Sequence, residues 1–157
     1  MKKINIAQIG VGYWGPNLLR NLISNSDVNL TTVVDLSSER RQFVKSQYPN
    51  VQTTDDVEEV FKNSDIKAVV ISTPVETHYE LAIKALNSGK HILVEKPMAT
   101  TSNEVNKINK IATNKSLVAM VGHTFLFNSC VRKIKKLIDD GELGEIRYIY
   151  SQRVNLG

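Results

Sequence analysis

The sequence predicts a doubly wound α/β fold, a parallel Rossmann sheet in the order 3-2-1-4-5-6 with helices on both faces. Three observations carry that expectation. Short apolar runs alternate with helix-like segments through most of the 157 residues, as strands covered on both faces alternate with crossover helices. The first run, Ile4-Asn-Ile-Ala-Gln-Ile, leads into Gly10-Val-Gly12-Tyr13-Trp14-Gly15, a glycine turn between a strand and a helix. An acidic residue, Asp35, stands twenty positions after Gly15. In such a turn Gly10 allows the sharp departure from the strand, Gly12 lacks a Cβ so that backbone can approach a pyrophosphate, and Gly15 lets the helix lie close to the strand. The backbone N–H groups of Tyr13 and Trp14 then meet phosphate at a helix N-terminus, a role compatible with plain packing of their rings at the helix start.

Each element follows in order. After the first strand, residues 16–24 form a helix and 30–34 the second strand; 38–47 is a helix, and 51–53 a weak third strand. Helix 57–62 precedes strand four at 68–72, helix 75–87 precedes strand five at 91–94, and helix 103–113 precedes strand six at 118–121. Thr73-Pro-Val-Glu76 and Thr101-Ser-Asn-Glu104 have the spacing of capping boxes, the former with proline at its first helical position, and Gly89 suits the residue after its helix. Right-handed crossovers then set the sheet order, and the sheet is complete by about His123.

The remainder reads differently. Residues 130–140 carry Val131, Ile134, Leu137 and Ile138 on one helical stripe closed by Gly141, and 145–154 alternate as a half-covered strand would. A single strand cannot stand alone. The division is therefore a dinucleotide-binding domain at 1–123 and, at 124–157, the start of a second, α+β domain, cut just inside.

Composition narrows the class. Cys130 is the only cysteine, which excludes an intrachain disulfide, fits a reducing, cytoplasmic compartment and reads as a small packing residue. No run approaches the about eighteen apolar residues of a membrane span, and the lysines at the N-terminus lead straight into a strand rather than a signal peptide. The net charge of +4 permits anionic ligands. However, the densest basic cluster, Arg132, Lys133, Lys135 and Lys136, lies on a helix ending in Asp139 and Asp140 and reads as a solvated face rather than a nucleic-acid patch. No grouping of His, Cys and carboxylate has metal-ligand spacing; His91, opening a buried strand, reads as structural.

Two further groups lie at carboxyl ends of strands, where open α/β sheets bind ligands: Ser72-Thr73-Pro74 with His78, and Glu95-Lys96-Pro97. With IGVGYWG, STPVETHYELAIKALNSGKHILVEKP and VGHTFLFN in order, the chain resembles the glucose-fructose oxidoreductase / inositol dehydrogenase / MocA family of sugar oxidoreductases. The form YWGPNLLRN is most similar to the branch acting on nucleotide-sugar uronates.

The resemblance implies an NAD-dependent dehydrogenase moving a hydride between a sugar or nucleotide-sugar CH–OH group and nicotinamide. It implies that Lys96 is the active-site lysine, held by Glu95 and Pro97. Independently of the family, a desolvated lysine beside a cation, its pKa lowered, can take a hydroxyl proton or support the developing oxyanion. Asp35 would hold the adenosine ribose hydroxyls and repel a 2′-phosphate, favouring NAD over NADP, with Arg40 and Arg41 nearby acting against that preference. Thr73 and Pro74 should line the nicotinamide ribose, and His78 and His123 should lie near the cofactor, although Gly122-His-Thr-Phe-Leu departs from the family's usual sequence there. The family's second catalytic element, an acidic residue and a histidine on a later helix, would fall beyond Gly157. The chain is thus expected to bind NAD, to be inactive alone, and to form homo-oligomers only within a longer protein. The alternative is a stand-alone dinucleotide-binding or redox-sensing module without turnover.

Overall fold

The computed structural model describes residues 3–152 and 154. Six parallel strands form one sheet, β1 (Ile4–Ile9), β2 (Val28–Val34), β3 (Gln52–Thr54), β4 (Ala68–Ile71), β5 (His91–Val94) and β6 (Ala119–Val121), in the order β3-β2-β1-β4-β5-β6. The expected sheet is the observed one. Between the strands run α1 (Gly15–Ser24), α2 (Ser38–Gln47), α3 (Val57–Lys62), α4 (Val75–Asn87) and α5 (Ser102–Asn114). The chain divides into two compact units, Met1–Gly122 and His123–Gly157.

The sheet separates two cores in the first unit. Ile6, Leu30 and Val33 pack with Leu19 of α1 and Val44 of α2. Ala7, Ile9, Val69, Ile71 and Val94 pack with Val60 of α3, Leu86 of α4 and Ile108 of α5. Successive residues of β1 thus serve opposite faces, the period-2 pattern of a strand covered on both sides.

Local signals decide the helix ends. At α5, Thr101 Oγ1 accepts from the Glu104 N–H while the Glu104 carboxylate reaches back to the Thr101 N–H, the reciprocal box expected there. The other expected box does not form: Pro74 is the N-cap of α4 and no side chain caps it. The Thr73 hydroxyl lies 2.7 Å from the Thr77 hydroxyl instead. The α4 end is as expected, with Gly89 at φ +78 and the pair Gly89 N–H to Leu86 O and Lys90 N–H to Ala85 O, both 3.0 Å, a Schellman closure.

That closure delivers Lys90 inward, 2 % exposed. Its ammonium donates to Asn63 O at 2.7 Å and Ile66 O at 2.9 Å. Burial, then the nearby charge of Lys67, holds its pKa below the usual lysine value.

In the second unit Thr124–Phe127 forms a 3-10 turn and Ser129–Asp139 forms α6. Asn128 Oδ1 caps α6 through the Cys130 and Val131 N–H groups. Gly141, at φ +73, ends it. Cys130 is exposed, not the packing residue expected, because α6 buries none of its residues. The described residues of 145–154 form no strand, against expectation. A lone strand has no ladder to satisfy its N–H and C=O groups.

Candidate dinucleotide site at the carboxyl edge of the sheet

Because all six strands are parallel, the segments leaving β1, β2, β4 and β5 emerge at one edge. The order reverses between β1 and β4, the switch point where such sheets open a crevice. The residues singled out from Gly10 to Lys96 belong to these four segments.

The glycine turn leaves β1 with Gly10 at φ +92; a Cβ there would lie 2.7 Å from Ser72 O. A Cβ on Gly15 would lie 2.9 Å from Gly10 O, so neither position has room for a side chain. A Cβ on Gly12 would meet nothing within 4 Å. That open space is what an approaching pyrophosphate needs. Helix α1 begins without a side-chain cap, with Trp14 at the N-cap position and no acidic residue in its first turn. The N–H groups of Gly12, Tyr13 and Trp14 have no partner among the described residues. Uncapped N–H groups and an unopposed helix dipole favour an anion. Tyr13 is 96 % exposed and Trp14 48 %, so Tyr13 does not pack into the turn.

Gln8 was not anticipated as a site residue; in the sequence it only interrupts an apolar run. In the fold it is fully buried. Its Nε2 lies 2.9 Å from Gly10 O and 3.0 Å from Gly15 O. The Ser72 hydroxyl, 2.7 Å from Gly10 O, ties the turn to β4. The only sequence signal was a polar residue on a strand destined for burial.

Asp35 follows β2 with its two carboxylate oxygens directed at backbone: Oδ2 accepts from the Val11 N–H at 2.7 Å and Oδ1 from the Ser37 N–H at 2.9 Å. The ribose hook is therefore docked on the glycine turn, each oxygen keeping a further lone pair. Arg41 does not extend toward this edge as a free cation. Its Nη1 donates to Asp35 O at 2.7 Å and Leu36 O at 3.0 Å, while Nη2 pairs with Asp55 Oδ2 at 3.1 Å. Arg40 is exposed.

At the ends of β4 and β5, His78 joins two segments. It is 2 % exposed, with Nδ1 2.8 Å from Pro97 O and Nε2 2.9 Å from Thr73 O. Both nitrogens are occupied by backbone, so His78 shapes the edge rather than presenting a free nitrogen to it. Glu95 Oε2 accepts from the Lys96 N–H at 3.2 Å. A Cβ on Gly122 would come 3.1 Å from Glu95 Oε1, so glycine leaves room for that carboxylate. The Lys96–Pro97 peptide is cis. Lys96 is exposed, without the burial expected of a desolvated base. Thr73 is half-buried and Pro74 exposed. His91 is structural as expected, its Nδ1 accepting from the Val118 N–H at 2.9 Å. His123 lies beyond β6, in the second unit, with its side chain exposed.

Residues 4–123 match the family model GFO_IDH_MocA, described as an oxidoreductase family with an NAD-binding Rossmann fold. The chain belongs to this family. It is 33 % identical over 148 residues, 94 % of its length and 37 % of the relative's, to 1-carboxy-3-chloro-3,4-dihydroxycyclohexa-1,5-diene dehydrogenase of Comamonas testosteroni. It is 30 % identical over 154 residues, 98 % of its length and 40 % of the relative's, to 2,7-anhydro-N-acetylneuraminate hydratase of Mediterraneibacter gnavus. Among solved structures it superposes with a TM-score of 0.85 on myo-inositol 2-dehydrogenase from Lactobacillus plantarum, at 26 % identity, covering 92 % of this chain and 43 % of that one. The chain thus spans about two fifths of the proteins it matches. As a member of the family, it carries the family's NAD-binding Rossmann domain.

Proposed function

We propose that this chain supplies the NAD(H) site and the active-site lysine of a dehydrogenase. The enzyme moves a hydride between a secondary alcohol carbon of a sugar or nucleotide sugar and nicotinamide. The supporting observation is the Asp35 carboxylate docked on the Val11 N–H beside a turn open at Gly12, with Lys96 on the same edge. Gly10, Gly12 and Gly15 shape the turn, and the N–H groups of Gly12, Tyr13 and Trp14 take the pyrophosphate. Asp35 takes the adenosine ribose hydroxyls, and Thr73 and Pro74 flank the nicotinamide ribose. When bound, nicotinamide supplies the hydride acceptor or donor. Lys96 Nζ accepts or returns the alcohol proton and bonds the oxygen as its charge develops, which lowers the barrier only in the transition state. Glu95, held against Gly122, orients the Lys96 backbone. The elements that enclose Lys96 and its substrate belong to a family-length chain, and turnover with them.

Asp35 also supports a preference for NAD over NADP, since a 2′-phosphate would meet its carboxylate and Arg41 is engaged with Asp55 and backbone. Calorimetric titration of the 157-residue chain should show tighter binding of NADH than of NADPH. Asp35→Ala should weaken NADH by about 1.5 to 3 kcal/mol, the range for hydrogen bonds to a charged group. Tighter NADPH binding would remove Asp35 from this role. In a family-length chain, Lys96→Ala should lower kcat about 10²-fold or more with NADH affinity little changed. Near-normal turnover would exclude Lys96 from the chemistry, and sugar-dependent NADH formation by the 157 residues alone would show that no further segment is needed.

A further inference from the structure

We propose that Gln8 is a positioning residue for the pyrophosphate: its side-chain amide clamps the two ends of the glycine turn, and so sets the direction of the N–H groups between them. This rests on the reading that the turn binds a dinucleotide. Gln8 sits within β1, fully buried, on the sheet face that strand alternation assigns to Ile6 and α1. An interior parallel strand ordinarily fills such a position with Val, Ile or Leu. Here the amide nitrogen spans from Gly10 O, where the chain leaves the strand, to Gly15 O, in the first residue of α1. Both partners are carbonyls that only accept, which fixes the amide with its NH2 toward the turn. The absence of a side chain at Gly15 makes the bridge possible, since a Cβ there would stand 3.3 Å from Gln8 Nε2. Between the clamped ends lie the N–H groups of Gly12, Tyr13 and Trp14, unpartnered among the described residues.

The clamp has a cost that locates its purpose. Gln8 Oε1 is buried without a partner among the described residues, and a buried acceptor left unmet destabilises the fold. A leucine would fill comparable space without that penalty. A bridge across the turn, held at the expense of an orphaned oxygen, is the local inconsistency that marks a functional position rather than a packing choice.

The test uses the 157-residue chain with NADH as the probe. Gln8→Leu should weaken NADH about tenfold, the loss of one to two net hydrogen bonds, while Tm changes little, because Gly10 O keeps the Ser72 hydroxyl and removal of the unmet Oε1 offsets the lost donor. A purely structural role would lower both together. Gln8→Met, unbranched and of similar length, should behave alike and serves if the leucine variant does not fold; failure of both to fold would overturn the proposal. Amide hydrogen exchange at Val11 and Asn17, whose N–H groups donate to Asp35 Oδ2 and Trp14 O on either side of the turn, provides the cofactor-free readout and should accelerate in either variant. If the wild-type chain did not bind NADH, the dinucleotide reading would fall while exchange still decided whether Gln8 holds the turn. NADH affinity changed by less than about twofold, unaltered exchange, or affinity and Tm falling in step would each sink the proposal.

Discussion

In the unit Met1–Gly122, Leu19, Ile71, Leu86 and Ile108 are sealed from solvent, whereas in His123–Gly157 none of the described residues is buried and Ile134 is 55 % and Tyr148 86 % exposed. Both units contain amphipathic helices with sound ends. Helix α6 has an Asn128 cap, a glycine closure and two i,i+4 pairs, Lys135–Asp139 and Lys136–Asp140. Local chemistry is therefore enough to shape a helix, and a second layer is needed to bury one. The first unit supplies that layer on both faces of its sheet, and the position of the candidate site depends on it.

The largest contrast should come from truncating apolar residues in the two units. Leu86→Ala should cost about 2 to 5 kcal/mol by urea unfolding, the transfer and cavity cost of a closed core. Ile134→Ala should change stability by less than about 0.5 kcal/mol, as surface substitutions do. Equal losses would mean that the stripe of α6 is packed in solution.

Next in size is Lys90, the cation inside the first unit. Lys90→Met should cost about 1 to 3 kcal/mol because Asn63 O and Ile66 O lose their donor. The pH dependence has a definite sign. The folded-state pKa is lowered, so between that value and the ordinary one near 10.5 the unfolded chain binds more protons and stability rises with pH. The gap between wild type and Lys90→Met should widen across that window; a gap that narrowed would show that the ammonium, not the amine, is the favoured donor.

Smaller still is the α5 cap. Thr101→Ala should cost about 1 kcal/mol. The Thr100 hydroxyl, aided by the Thr100 and Thr101 N–H groups and the Thr101 side chain, holds the Glu104 pKa below its ordinary 4.5, with desolvation acting the other way. The cap is thus intact above 4.5 and is lost as pH falls through the lower folded value. Protection of the amides at the start of α5, taken relative to intrinsic exchange at the same pH, should fall there and hold at neutral pH. Smallest of all is Lys136→Ala, which removes an exposed i,i+4 pair in α6 and should shift stability by no more than about 0.5 kcal/mol in a melting curve.

Much of the candidate site was legible because its signals are local and steric. Gly10 and Gly15 have to be glycine for want of space, Gly12 leaves an opening, and Asp35 follows at a spacing set by one strand and one helix. The missed parts depend on contacts across the chain. Gln8 looked like a blemish in a strand, Arg41 like a rival for phosphate, and Thr73-Pro-Val-Glu76 like a capping box. Gln8 meets Ser72 sixty-four positions away, and Thr73 O is taken by His78, which also reaches Pro97.

By itself the sequence determined the strand and helix alternation, the sheet order that right-handed crossovers impose, the glycine turn with its acidic partner, and the helix ends closed by Gly89 and Gly141. These follow from periodicity, chirality and the conformational freedom of glycine, which act over a few residues or one crossover. Only the tertiary structure decided that Gln8 clamps the turn, that Arg41 is engaged with Asp55, that His78 links the β4 and β5 ends, and that Lys96 stands exposed. It also decided that residues after Gly144 form no strand among those described. A buried polar side chain takes its role from the partners that folding brings to it, and a strand exists only when another strand completes its hydrogen bonds.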